Sequence, residues 1–382
     1  MSSTSPIDRA LVWQWGRFGS GPRYAFELSR ALREHCGYDT TLSLAEGSEL
    51  MQSLKQKIDL PIHTYSSGAE FLFRTLGMRS VLTPLLEQLR RDPPRVAVLT
   101  MVGYWDIFFV RQLHDMGIPV VFMVHDAEVH PGDRFHAAVH LQRRLLRMSD
   151  GVITLTDFVA RKVMSRTSLA GKALVTIPHP AFDFADLALP SPKLPNAVAE
   201  GPLRLLLAGR LKRYKGLQLL ADALKSVLSD AKVAVRVVGA ARDQKEIASL
   251  ASVPGVEFDL GWKSERDLFA YIDSADAVVL PYIEASQSGI APMSFKRGRP
   301  VIATAVGGLP EQIRDGVTGL LAEAGSAESL AAAINRLAQD RVLLRRLGEN
   351  ALHHAETYIS WRSLAPRFGK FLERITLVQS QH

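Results

Sequence analysis

The sequence predicts an α/β protein made of two doubly wound parallel sheets. Two observations carry this. Short apolar runs rich in Val, Ile and Leu alternate with longer amphipathic segments, the pattern of parallel strands buried on both faces with helices between them. The alternation also restarts in mid-chain, after a segment with prolines at 178, 180, 190, 192 and 195. Neither a helix interior nor a central strand tolerates proline. A length of 382 residues suits two domains, and 47% apolar content is enough for two cores.

In chain order, the first half offers strands at Leu11–Trp15, Val96–Thr100, Pro119–Val124, Gly151–Leu155 and Leu174–Ile177, each a near-continuous apolar run. The second half offers Leu203–Ala208, Val233–Val238, Val256–Leu260, Ala277–Pro281 and Val301–Thr304. Helical periodicity marks Tyr24–His35, Arg134–Met148, Leu217–Ser229, Glu265–Ser274 and Ala327–Ala338. Asp315-Gly316-Val317-Thr318-Gly319 turns the chain into a further short strand. The expected division is residues 1–185, residues 186–356 and a last helical segment, 357–382. Ligands of such sheets bind beyond the carboxyl ends of the strands.

The single cysteine, Cys36, leaves no internal disulfide and no cysteine-rich metal site. The polar start and the lack of any apolar run of about eighteen residues point to a cytoplasmic chain without a spanning helix. A net charge of +7 favours anionic partners. Phe71–Arg95 sets Arg74, Arg79, Arg90, Arg91 and Arg95 among apolar residues. It reads either as a solvated helix face or as a contact for an anionic membrane.

Three constellations in the second half carry chemistry. Ala208-Gly209-Arg210-Leu211-Lys212-Arg213-Tyr214-Lys215-Gly216 follows a strand and opens a helix. Arg210 and Lys215 can converge on one diphosphate, the guanidinium as a fork and the ammonium as a point charge. Leu280 to Pro292 contains Glu284, Ser286, Gln287, Ser288 and Gly289 in a polar turn that re-enters helix. Its N–H groups could bind an anion or simply cap the helix. Thr304 to Glu311 turns at Gly307-Gly308 and starts a helix with Pro310 and Glu311.

These residues, with Gly298-Arg299-Pro300-Val301-Ile302-Ala303-Thr304 and Asp315-Gly316-Val317-Thr318-Gly319-Leu320-Leu321, resemble the family 4 glycosyltransferases of the GT-B fold. The resemblance implies two facing Rossmann-like domains with a cleft between them and a C-terminal helix crossing back to the first. It implies a retaining, metal-independent hexosyltransferase of polysaccharide biosynthesis. The donor would be a UDP- or GDP-linked sugar, a substrate rather than a cofactor. Arg210 and Lys215 would hold the diphosphate, with Gly209 beside them. Gly239, Trp262 and Lys263 would line the base and ribose pocket. The family's paired glutamates fall on Ala285 and Met293, so this chain resembles a subgroup with Ser-Gln-Ser-Gly there. Gln287, Ser288 and Gly289 would contact phosphate or sugar instead, with Glu284 a weaker candidate.

In the first half, Gly16, Gly19 and Gly21 follow the first strand. They serve a tight turn or, as the resemblance implies, a loop touching donor phosphate or acceptor. Val120–Val124 ends in His125-Asp126, and the resemblance places His125 against the sugar. The acceptor it implies is a hydroxyl group of a glycan or lipid-linked precursor, met in the cytoplasm or at the inner face of the cell membrane. His125, His130, Asp133 and His136 match no metal-site spacing. Nucleic acid is not expected, because no RNA-binding module or stacking platform is recognisable. Two alternatives stand beside transfer: a sugar-nucleotide epimerase of the same fold, and a non-catalytic basic binding protein.

Overall fold

The computed structural model describes residues 8–17, 19–65, 67–127, 136–166, 169, 171–198, 201–227, 233–241, 245 and 247–379. His130 and Asp133 lie outside the described residues. The chain divides into two compact units. The first takes the described residues up to 127, those from 136 to 178, and those from 361 onwards. The second runs from His179 to Ser360.

The first unit holds a parallel sheet of seven strands: β1 (Arg9–Gln14), β2 (Asp39–Ala45), β3 (Leu60–Ile62), β4 (Val96–Leu99), β5 (Val120–Val124), β6 (Gly151–Thr154) and β7 (Ala173–Thr176). Their spatial order is β3-β2-β1-β4-β5-β6-β7. The order reverses between β1 and β4, which makes their carboxyl ends the topological switch point. Trp13 and Trp15 pack on Phe109, with ring centroids 5.3 and 4.7 Å apart.

β2 and β3 were absent from the sequence expectation, and β2 shows why. Its sequence mixes hydroxyl and apolar residues, yet Thr40 and Ser43 are buried. Hydrogen bonds satisfy them: Thr40 Oγ1 lies 2.8 Å from Ser29 Oγ, and Trp15 Nε1 donates to Ser43 Oγ at 3.0 Å. Phe71–Arg95 resolves into two helices, Gly68–Leu76 and Met78–Arg91, broken at Gly77. The last helix, Trp361–Gln379, packs on Ser20–Cys36. Gly369 lies against Cys36 there, and its carbonyl accepts from the Tyr38 hydroxyl at 3.4 Å.

The second unit holds six parallel strands: β8 (Leu203–Ala208), β9 (Val233–Gly239), β10 (Val256–Leu260), β11 (Ala277–Leu280), β12 (Val301–Thr304) and β13 (Gly319–Ala322). The order is β10-β9-β8-β11-β12-β13, so the switch point lies between β8 and β11. All six were foreseen in the sequence.

One buried acid predicts a pH effect. Asp106 accepts from Trp13 Nε1 at 3.1 Å and from the Gly103 N–H at 2.5 Å. Burial nevertheless pushes its carboxyl up to about 6. A carboxyl raised in the folded state takes up its proton before the unfolded chain does. Its contribution is therefore present at low pH and lost as pH rises through about 6. At about 1.4 kcal/mol per pH unit, the term is on the order of 3 kcal/mol. Relative to Asp106→Asn, the wild type should gain urea resistance between pH 7 and pH 5. Parallel curves for the two proteins would refute this.

Candidate active site

The loops after β8 and β11 meet at the switch point of the second unit. Gly216, at φ +69°, packs so tightly on the Pro281 carbonyl that a Cβ there would lie 1.7 Å from its oxygen. The Ile283 N–H donates to Tyr214 O at 2.9 Å. These contacts lock one loop to the other and fix Lys215, which is 8% exposed. Lys215 Nζ donates to the Tyr282 hydroxyl and stands 3.9 Å from that ring's centroid. A second face, Tyr214, lies 5.2 Å away. Burial holds the Tyr282 phenol well above its usual range, so it stays neutral. A cation is thus held by phenol and π faces at the place where such sheets bind ligands. Arg210 is exposed beside it in sequence.

Glycines mark the carboxyl ends of β8, β9 and β10. The Gly209 N–H donates to Val238 O and the Gly261 N–H to Gly239 O, each at 3.0 Å. Gly209, Gly239 and Gly261 have φ of +118°, +134° and +116°. A Cβ on Gly239 would lie 1.9 Å from Gly209 O. Trp262, after Gly261, is 52% exposed. Lys263 is drawn to Asp259, 2.6 Å away.

The turn after β11 differs from a bare row of N–H donors. The Ser288 N–H is taken by Gln312 Oε1 at 2.7 Å, and Gln312 Nε2 donates back to Ser288 O at 3.2 Å. Ser288 Oγ reaches the Tyr282 hydroxyl at 3.3 Å. The helix that follows, Ile290–Lys296, has seven residues. The Gln287 Oε1 atom is buried without a hydrogen-bond partner, and Glu284 is half-buried. Against Gly289 lies the buried His179 ring, its Nε2 3.8 Å from where a Cβ would stand. Tyr282, Gln312 and His179 were not singled out in the sequence. The only signal for Tyr282 was its place just past a strand end.

In the first unit, His125 follows β5 and is 5% exposed. Its ring meets Tyr24 edge to face at 5.2 Å, and both ring nitrogens lack a hydrogen-bond partner. Burial lowers its pKa, against the opposing pull of the Asp126 charge and of the Thr100 backbone, which stands near the ring without reaching good hydrogen-bond geometry, so the ring is neutral at pH 7. Thr100, at the end of the adjacent β4, and Thr64, just past β3, also have buried unpartnered hydroxyls. Such orphans are rare and call for a ligand or ordered water. The threonines lie in no motif and were not foreseen.

The glycine loop after β1 is largely self-satisfied. Gln14 Oε1 accepts from the Gly16 N–H at 2.9 Å, and a Cβ on Gly16 or Gly21 would meet Gln14 Nε2 at 2.5 or 3.0 Å. Glu49 accepts from the Gly19 N–H at 3.0 Å. Gly16 and Gly21 therefore make room for the buried Gln14 amide. Among the described residues, no three His, Cys, Asp or Glu side chains gather as a metal site would require.

Residues 202–340 match the family model described as "Glycosyl transferases group 1", and residues 19–178 match "Glycosyl transferase 4-like domain". The chain belongs to this glycosyltransferase family. A D-inositol 3-phosphate glycosyltransferase of Arthrobacter sp. strain FB24 is 29% identical over 291 residues, covering 71% of this chain and 66% of that protein. One from Streptomyces bingchenggensis is 27% identical over 276 residues, covering 66% of this chain and 59% of the relative. These matches span two thirds or less of the relatives' own lengths. A longer match, to the protein of that name from Geodermatophilus obscurus, is 26% identical and covers 94% of this chain and 84% of that one. Among solved structures, a sucrose-phosphate synthase from Thermosynechococcus elongatus superposes with a TM-score of 0.72 at 19% identity, over 97% of this chain and all of that one. The Anabaena protein HepE, solved with UDP and glucose, gives 0.72 at 16% identity, over 96% of this chain and all of that one. At such identities these structures establish the fold, which is GT-B.

Proposed function

We propose that the chain is a retaining hexosyltransferase that needs no metal and takes its sugar from a UDP- or GDP-linked donor. The carrying observation is the Lys215 ammonium, held by Tyr282 at the β8/β11 switch point. With Arg210 it would neutralise the diphosphate as the bond from anomeric carbon to phosphate oxygen breaks. The acceptor hydroxyl would form the new bond on the same face and pass its proton to the leaving diphosphate. Gln287 Oε1, an unpaired buried acceptor, suits a sugar hydroxyl. Gly239 and Trp262 suit the ribose and base, and the UDP bound by HepE supports that nucleotide class.

The acceptor in this reading is a hydroxyl compound carrying phosphate, consistent with the net charge of +7. A lipid-linked glycan precursor at the inner membrane face is our first choice. A soluble cyclitol phosphate, as in the D-inositol 3-phosphate of the Arthrobacter and Streptomyces relatives' names, is the second. The test is nucleoside diphosphate release from UDP- and GDP-sugars with EDTA present. Release that requires acceptor, with the product's anomeric configuration retained, supports the reading. Epimerised donor without release, or no turnover with any donor, would overturn it.

His125 belongs to the same reading as a sugar contact. Its unpaired nitrogens cost the fold about 1–3 kcal/mol that an apolar group would not. His125→Leu should therefore keep or raise the melting temperature while lowering kcat/KM about tenfold or more. Lost stability with unchanged transfer would mark it as a core residue instead.

A further inference from the structure

The turn after β11 is tied at Tyr282, Ala285 and Ser288 to the segment that follows β12. The Thr304 hydroxyl donates to Tyr282 O at 2.5 Å. The Gly308 N–H donates to Ala285 O at 3.1 Å. The Gln312 amide takes both backbone groups of Ser288, accepting from its N–H at 2.7 Å and donating to its carbonyl at 3.2 Å. Only a group that is donor and acceptor at once can do this; an ionised carboxylate could only accept.

These ties divide the turn in two. Its first half belongs to the cation. Gly216 packs on the Pro281 carbonyl, the Ile283 N–H donates to Tyr214 O, and Thr304 holds Tyr282, the partner of Lys215. The second half brackets Gln287 between the tied residues Ala285 and Ser288. Gln287 Oε1 is buried without a hydrogen-bond partner, an orphan that calls for a ligand or ordered water. An amide oxygen accepts from a hydroxyl and repels a phosphate. The Ser288 N–H is already taken by Gln312, so it is not offered to an anion. This half of the turn therefore has the chemistry of a sugar contact. One link joins the halves: Ser288 Oγ stands 3.3 Å from the Tyr282 hydroxyl, long for two hydroxyl groups. Tyr282 keeps both Thr304 and Lys215 without it.

We infer that Gln312 is a positioning residue for the donor's sugar: through Ser288 it aims the Gln287 amide at a sugar hydroxyl, while the grip of Lys215 on the diphosphate is set separately. The inference rests on the reading of a nucleotide-sugar donor. Without the Gln312 amide, the Ser288 N–H and carbonyl lose their partner and the Gln287 side of the turn is free to shift. A misplacement of about 1 Å can cost about a hundredfold in rate. A nucleoside diphosphate, which carries no sugar, should not sense the change.

The test is a double-mutant cycle of Gln312→Met and Gln287→Met in the full chain. It is read by kcat/KM with the UDP- or GDP-sugar that the wild type transfers, and by calorimetric affinity for UDP and GDP. Each single variant should lower kcat/KM about tenfold to a hundredfold. Nucleoside diphosphate affinity should stay within about twofold of the wild type in both, which also shows that the second unit is folded. Because Gln312 acts through Gln287, the double variant should lose no more than the worse single one, whereas independent sites would multiply their losses. If Gln312→Met fails to fold, Gln312→Asn, which keeps an amide one methylene short of Ser288, carries the same cycle. Unchanged transfer in the Gln312 variant, a nucleotide affinity that falls in step with transfer, or multiplied losses in the double variant would overturn the inference and leave the transferase reading in place. A wild type that transfers sugar from neither class of donor would overturn that reading instead.

Discussion

Lys215→Met should lower kcat/KM for transfer by about a hundredfold to a thousandfold, the cost of removing one preorganised charge from a developing anion. Methionine keeps the length of the side chain and loses its charge and its bond to the Tyr282 hydroxyl. The fold should tolerate it, because the pocket between Tyr214 and Tyr282 is aromatic. Nucleoside diphosphate affinity should fall together with turnover, since ground state and transition state both carry the phosphate charge. Arg210→Ala, at an exposed position, should cost less, about tenfold to a hundredfold. Unchanged transfer in Lys215→Met with a lowered melting temperature would make the lysine a structural clamp.

Gly216→Ala should be the most damaging single substitution at the loop junction. The residue has φ +69°, and its new Cβ would lie 1.7 Å from the Pro281 carbonyl oxygen. Relief requires the loop after β11 to move, which breaks the link from Ile283 to Tyr214 and shifts Tyr282 away from Lys215. A loss of about 4 kcal/mol or more in the second unit is expected, the size reserved for steric conflicts of this kind. Gly316→Ala is the control. It shares a left-handed φ, +68°, but nothing lies within 4 Å of its Cβ position. It should cost only the backbone term, about 1–2 kcal/mol. Urea midpoints of the two variants would decide. Equal losses would mean that the tight approach to Pro281 plays no part.

Much of this site was legible because its chemistry is local in sequence. Gly209, Arg210, Lys215 and Gly216 stand together after one strand, and a glycine between strand and helix signals a close approach wherever it occurs. His125 was legible as a histidine at a strand's carboxyl end. The residues that set their states were not. Tyr282 reaches Lys215 across 67 positions and Gln312 clamps Ser288 across 24, through side-chain hydrogen bonds that no periodicity encodes. The orphaned hydroxyls of Thr64 and Thr100 are ordinary threonines until their burial is known. The fold shows the same limit. Strands of continuous Val, Ile and Leu were readable, whereas β2 buries hydroxyl groups that only their partners justify. The glycine loop after β1 resembled a phosphate site, yet Gly16 and Gly21 leave space for the Gln14 side chain.

The most direct measurement is calorimetric titration of UDP and GDP into the full chain, with EDTA present, for the wild type and Lys215→Met. One nucleotide should bind the wild type in preference to the other, and Lys215→Met should weaken that binding at least about tenfold. Binding of neither nucleotide, or equal affinity in the two proteins, would contradict a diphosphate site at the β8/β11 switch point.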